Sequence, residues 1–341
     1  MALRHFLPAI LPLLIVFSCT ESKETRLQRY LIQGNEKIRE QQYEQAERFF
    51  REALKLDSCF ADAWNNIGTV FHRRANRGEA LANYNAAIAC EPEFLPSLIN
   101  RANVYYEMGQ YDRALADLRT VEKHKPDTLV LHQLRGLIYW RQRQTEKARN
   151  EFARTISGND SDAEAYVNIG TLYLLDKTYD SARHYLDRAL GMSGENSDAF
   201  NAMAMLEAAV GNLDAARGWM EKAIDKRPDD AYYLNNKGYL LLLNGAYEDA
   251  LPLINQSIVL DPLNAWAYRN KGYYYLKTGQ TDEAIRLLSR AVKDDPSVEN
   301  GYLWLSEAYT EKGEKELSCK ALAQAVDWKQ VSREDYDRRC P

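Results

Sequence analysis

Neither sign of charge dominates this chain: 44 lysines and arginines stand against 49 aspartates and glutamates. Without a basic excess nothing is available to replace the counterions of a nucleic-acid backbone, so nucleic acid is not an expected partner. Proline (10) and glycine (17) are too scarce in 341 residues for a fibrous or disordered chain. Histidine is rarer still, and His5, His72, His124, His132 and His184 show no metal-ligating spacing. Neither a Gly-x-Ser-x-Gly elbow nor a phosphate-cradling glycine loop occurs. Catalytic residues, metal ligands and cofactors are therefore not expected. Beyond the first residues there is no apolar run long enough to span a bilayer, which takes roughly 18–20 residues.

What is present begins at the N-terminus. A basic start at Arg4 precedes an apolar run from Phe6 to Phe17, interrupted at Pro8 and Pro12. That pattern reads as a secretory signal over residues 1–18. The following Val16-Phe17-Ser18-Cys19 resembles the bacterial lipobox, which implies lipid attachment at Cys19 and a tether over residues 19–26. An ordinary signal peptide with an incidental cysteine is the competing reading. A diacylated, N-acylated cysteine carries several acyl chains, enough for stable anchoring.

The body of the chain is periodic. Residues 34 apart read Gly34, Gly68, Ala102, Gly136, Gly170, Ala204, Gly238, Gly272 and Ser306, all small. A second column, twelve residues on, runs from Ala46 through Ala80 and Ala114 to Ala284 and ends at Ser318. Aromatic and large apolar residues fill other columns, such as Tyr30, Trp64 and Leu98, or Phe50, Tyr84 and Leu118. Small residues let two antiparallel helices approach closely, and the first column is expected to face the alanines of the second. Gly109, Gly211, Gly245, Gly279 and Gly313 mark turns within repeats, and Gln144 stands in for glycine in repeat four. Pro92, Pro126, Pro228, Pro262 and Pro296 mark the stops between repeats. No insertion or deletion breaks the register over residues 27–332.

This pattern, with stretches such as Ala61 to Pro92, resembles the tetratricopeptide-repeat (TPR) family. The resemblance implies an all-α fold: an α-solenoid (right-handed superhelix) of nine tandem helix-turn-helix hairpins. Residues 333–341 follow as a short C-terminal cap, with Ser332 as N-cap. It also implies that first helices line a concave face through positions two, five, six and nine of each repeat.

Those positions carry Asn65, Asn66, Asn100, Asn103, Asn168, Asn201, Asn235, Asn236 and Asn270. An amide both donates and accepts, so such a row can serve an extended peptide backbone. It resembles the asparagine ladder of the repeat domain in O-linked N-acetylglucosamine transferase. Bonding within the repeat array is the alternative use. The C-terminal part of the groove adds Tyr232, Tyr239, Leu242, Trp266, Arg269, Tyr273 and Leu276, a composition suited to binding hot spots. Packing between first helices is the competing account for Tyr239 and Tyr273. Arg269 lacks the matching basic set of the dicarboxylate clamp found in chaperone-binding repeats.

Apart from Cys19, four cysteines remain. A bond between Cys319 and Cys340 would staple the cap, whereas Cys90 reads more simply as a small buried hydrophobe than as a partner of Cys59. The functional expectation is a non-catalytic, envelope-anchored scaffold that binds a protein or extended peptide. Thr20 is not the aspartate that favours inner-membrane retention, so an outer-membrane lipoprotein facing the periplasm is expected. A carbohydrate- or peptidoglycan-binding module is the alternative.

Overall fold

A computed structural model describes residues 21–340 of the chain. The signal peptide over 1–18 and the lipid-attachment residue Cys19 lie outside the described residues. Among the described residues every regular element is an α-helix, nineteen in all. They form two compact units, one up to Gln142 and one from Arg143 onward, so the division falls inside repeat four.

The first unit contains α1 (Lys23–Arg39), α2 (Tyr43–Leu56), α3 (Ala61–Arg73), α4 (Arg77–Cys90), α5 (Leu95–Glu107), α6 (Tyr111–His124) and α7 (Leu129–Arg141). The second opens with α8 (Thr145–Gly158), α9 (Ala163–Leu175), α10 (Tyr179–Met192), α11 (Ser197–Ala209), α12 (Leu213–Lys226) and α13 (Ala231–Leu243). It continues with α14 (Tyr247–Leu260), α15 (Ala265–Lys277), α16 (Thr281–Asp294), α17 (Gly301–Lys312), α18 (Lys315–Asp327) and α19 (Arg333–Arg339).

Helix α1 starts earlier than the register implies. Ser22 caps it by accepting from the Thr25 amide at 3.1 Å, and Lys23 pairs with Asp57 at 2.9 Å. Residues 23–26, expected in the tether, are thus a helical turn.

The small columns work somewhat differently from the expectation. A Cβ added at Gly34 would lie 2.3 Å from the Phe50 ring, and one at Gly272 would lie 2.6 Å from Leu288. Glycine therefore makes room for the large side chain of its own hairpin, rather than facing the alanine side chain. Ala46, Phe50 and Ala53 are fully buried together, and the same trio recurs as Ala80, Tyr84 and Ala87.

Each hairpin turns through one left-handed residue. Glycine occupies it at Gly109, Gly211, Gly245, Gly279 and Gly313, but Gln41, Ala75, Arg143 and Lys177 hold φ of 58–60° elsewhere. In repeat four it is therefore Arg143, not Gln144, that takes the glycine's place. First helices begin at polar caps in the second unit: Asp162, Asn196, Asp230 and Asn264 each accept from an amide two or three residues on. Helix α17 departs from this pattern. Asn300 is left-handed, and the helix starts only at Gly301, where a Cβ would lie 2.6 Å from Val298.

Within each unit, odd-numbered helices touch their odd neighbours, as in α3 with α5 and α13 with α15. No even-numbered helix makes comparable contact with another even one among the described residues. The odd layer is thus the tighter, inner one.

Both cysteine pairs are bonded. Cys319 joins Cys340, tying α19 to α18. Cys59, in the turn after α2, joins Cys90 at the end of α4. Cys90 is only half-buried, so the reading of it as a simple core hydrophobe is corrected. The turn brings the two Cα atoms to 5.3 Å, a juxtaposition that the chain separation of 31 does not reveal. No described helix is long and apolar enough to cross a membrane.

Candidate functional site

The inner layer places the asparagines in two relays with the same wiring. In the first unit the Asn100 amide donates to Asn65 Oδ1 at 2.9 Å, Asn65 to Asn66 at 3.2 Å, and Asn66 to Asn35 at 3.1 Å. In the second, Asn270 donates to Asn235 at 2.8 Å, Asn235 to Asn236 at 3.4 Å, and Asn236 to Asn201 at 2.8 Å. Each relay crosses three first helices. Asn65, Asn235 and Asn270 are buried, so their amides serve the array itself. Asn66, Asn100, Asn201 and Asn236 are half-buried and keep an accessible edge. Asn103 on α5 and Asn168 on α9 are also half-buried, and neither makes a side-chain hydrogen bond among the described residues.

The C-terminal groove residues gather around Arg269, which is only 2% exposed. Its guanidinium lies 4.7 Å from the Tyr239 ring centroid, 4.8 Å from Trp266 and 4.9 Å from Trp304. It donates through Nη1 to the Glu299 carbonyl at 3.1 Å, while its Nε has no acceptor within the described residues. Burial pulls its pKa below the ordinary arginine range, partly offset by Tyr239 and Glu299. Burial raises the Tyr239 phenol, against the lowering effect of the nearby guanidinium. Tyr273 stacks on Trp304 with centroids 4.1 Å apart. Arg269, expected on the groove surface, is therefore an interior residue. Tyr239, Trp266 and Tyr273 are half-buried, packed on the core that α17 completes. Leu242 and Leu276, also expected in the groove, are core residues.

In the second unit the exposed apolar surface of the inner layer lies elsewhere, while the first unit exposes Ile32 on α1 and Val130 on α7. Leu175 ends α9, Val210 follows α11 and Leu243 ends α13, with exposures of 41%, 47% and 38%. Tyr232, at the other end of α13, is 49% exposed. A signal for this stripe exists in the sequence. The column that reads Arg39, Arg73, Glu107 and Arg141 turns apolar at Leu175, Ala209 and Leu243, then returns to Lys277. Helix C-termini favour cations, so three consecutive apolar residues there sacrifice a favourable charge placement. Trp304 escaped the reading because its column holds asparagine in most other repeats. Among the described residues no cluster of histidine, cysteine or acidic side chains could hold a metal.

Comparison with known proteins agrees with this fold. A tetratricopeptide-repeat family profile matches residues 33–93, 134–198 and 201–265, more than half of the chain. Further profiles of the same repeat match 83–116, 241–303 and 300–331. No curated protein matches the chain in sequence. Among solved structures, the chain is similar to PilF of Pseudomonas aeruginosa, with 21% identity and a TM-score of 0.55 over 62% of this chain and 96% of that one. It is also similar to the APC/C hetero-tetramer Cut9-Hcn1, with a TM-score of 0.65 and 15% identity over 95% of this chain and 65% of that one. At these identities the likeness concerns the fold.

Proposed function

The chain belongs to the tetratricopeptide-repeat family, and from that premise we propose that it is a non-catalytic scaffold anchored in the bacterial cell envelope, whose inner layer holds a protein or extended peptide. The family's repeats serve protein–protein interaction, and the observation that carries the reading here is the stripe of Leu175, Val210 and Leu243, with Tyr232 exposed at the opposite end of α13. Apolar side chains left in water on three successive repeats, on helices that also carry half-buried amides, have the composition of an interface core. The accessible edges of Asn168, Asn201 and Asn236 can serve a peptide backbone along the same helices.

Two features support the envelope. The N-terminal run ending in Val16-Phe17-Ser18-Cys19 has the form of a lipoprotein signal. Both bonded cysteine pairs suit an oxidising compartment. With Cys19 lipidated, only residues 20–22 separate the anchor from α1, a reach of about 10 Å. The first hairpin then lies at the membrane surface, and we place it at the outer membrane facing the periplasm. The geometry gives the carbohydrate alternative no support. The rings that would stack on a sugar, Tyr239, Trp266 and Tyr273, are engaged by Arg269 and Trp304.

The test is affinity capture from native membranes with the lipid anchor intact. Leu175→Glu with Leu243→Glu is expected to lose at least tenfold of a polypeptide partner recovered by the unaltered chain. Recovery that is unchanged, or that depends on glycans rather than on a polypeptide, sinks the reading.

A further inference from the structure

Four of the hairpin turns in the second unit use glycine for their left-handed residue, but Arg143 and Lys177 do not. Left-handed backbone disfavours any residue with a Cβ. Both exceptions carry a cation, and both cations reach one distant loop. Arg143 Nη2 lies 3.1 and 2.9 Å from the two carboxylate oxygens of Asp295, which is 152 residues away. Lys177 Nζ lies 3.8 Å from Glu299 Oε1. The loop they grip is the irregular one, where Asn300 turns left-handed and α17 starts late. Its Glu299 carbonyl takes the Arg269 donor, and one turn into the helix Trp304 covers Tyr273 and Arg269.

Residues 295–304 thus run from the turns of repeats four and five to the floor of repeats seven and eight. At the near end they carry two ion pairs whose side chains are 27–61% exposed, and between the ends buried Val298 and the Gln330 amide, which donates to the Val298 carbonyl at 3.0 Å, act as the hinge. At the far end they seal a guanidinium that has a neutral carbonyl for its acceptor and an Nε left without one. Exposed pairs hold weakly. A buried guanidinium satisfied only in part gives up stability that fuller solvation would restore.

We propose that residues 295–304 are a strap that closes the inner groove of the second unit in cis, and that release of the Arg143 and Lys177 pairs opens it over Arg269, Trp266 and Tyr273. This rests on the reading of that groove as the partner site, and it makes the site's C-terminal half conditional. A partner lying along Leu175 to Leu243 meets the strap as its next neighbour.

Hydrogen exchange resolved by peptide tests the proposal without any ligand. Arg143→Gly with Lys177→Gly removes both cations and supplies the residue these turns favour, so the hairpins should keep their fold. The expected result is exchange over 295–304 raised roughly three- to thirtyfold, with α9 to α16 unchanged. In the unaltered chain 1 M NaCl, where the Debye length is about 3 Å, should reproduce the change. If α9 to α16 lose protection as well, Asp295→Asn with Glu299→Gln repeats the test from the other side. Protection over 295–304 that is unmoved by variant and salt overturns the strap. Failure of partner capture alongside the expected exchange would instead remove the groove reading and leave the strap standing.

Discussion

Asn235 shows how much one side chain can carry in this array. It is 1% exposed, accepts from the Asn270 amide and donates to Asn236. Asn270 is fully buried, and its own Oδ1 already lacks a partner within the described residues. Asn235→Ala would strand the Asn270 amide as well, at a cost of about 1–3 kcal/mol. Asn168→Ala, at a half-buried position without a side-chain bond, should stay within about 0.5 kcal/mol. Urea unfolding of the two variants measures the difference, and equal losses would contradict a structural role for the relay. The columns of the sequence reveal that asparagines recur on the inner helices. They do not reveal what the amides bond, because each relay step joins neighbouring helices whose spacing depends on the packing of the whole hairpin. Arg269 was hidden for a similar reason. Position five is a groove position in the family, and only the placement of Trp304 and Glu299 over it turns the site inward.

The hairpin is the element most legible in sequence, since its determinants are local. A glycine opposite a large residue of the same hairpin, as with Gly68 and Tyr84 or Gly238 and Ile254, fixes how closely two helices approach. The late start of α17 was not legible, because Gly301 yields to Val298 and Val292 only once the preceding turn has folded. Helix α19 is the opposite case: seven residues, none buried. So short a helix cannot persist alone. Its Ser332 cap, at 3.0 Å from the Asp335 amide, and the Cys319–Cys340 bond hold it. Cys340→Ser should leave α19 exchanging its amides almost freely while α15 to α18 keep their protection. Continued protection of residues 333–339 in that variant would show that packing holds α19 without the bond.

At the scale of the molecule, the unbroken register makes every repeat comparable with every other, and the proposed function sits where the comparison fails. Arg39, Arg73, Glu107 and Arg141 close the first helices of repeats one to four, whereas Leu175 and Leu243 in the same column are apolar and exposed. Glycine serves four turns of the second unit, yet Arg143 and Lys177 hold the strap. These departures lie in one unit and border one another along α9 to α17, so partner binding and its restraint are assigned to the same surface. The most direct measurement places a photo-reactive phenylalanine at Tyr232, and separately at the outward Glu283, in cells that make the full chain. The inner position should cross-link to a discrete polypeptide that the outer position does not capture. Equal cross-linking from both positions, or none from Tyr232, would contradict an inner-layer partner site.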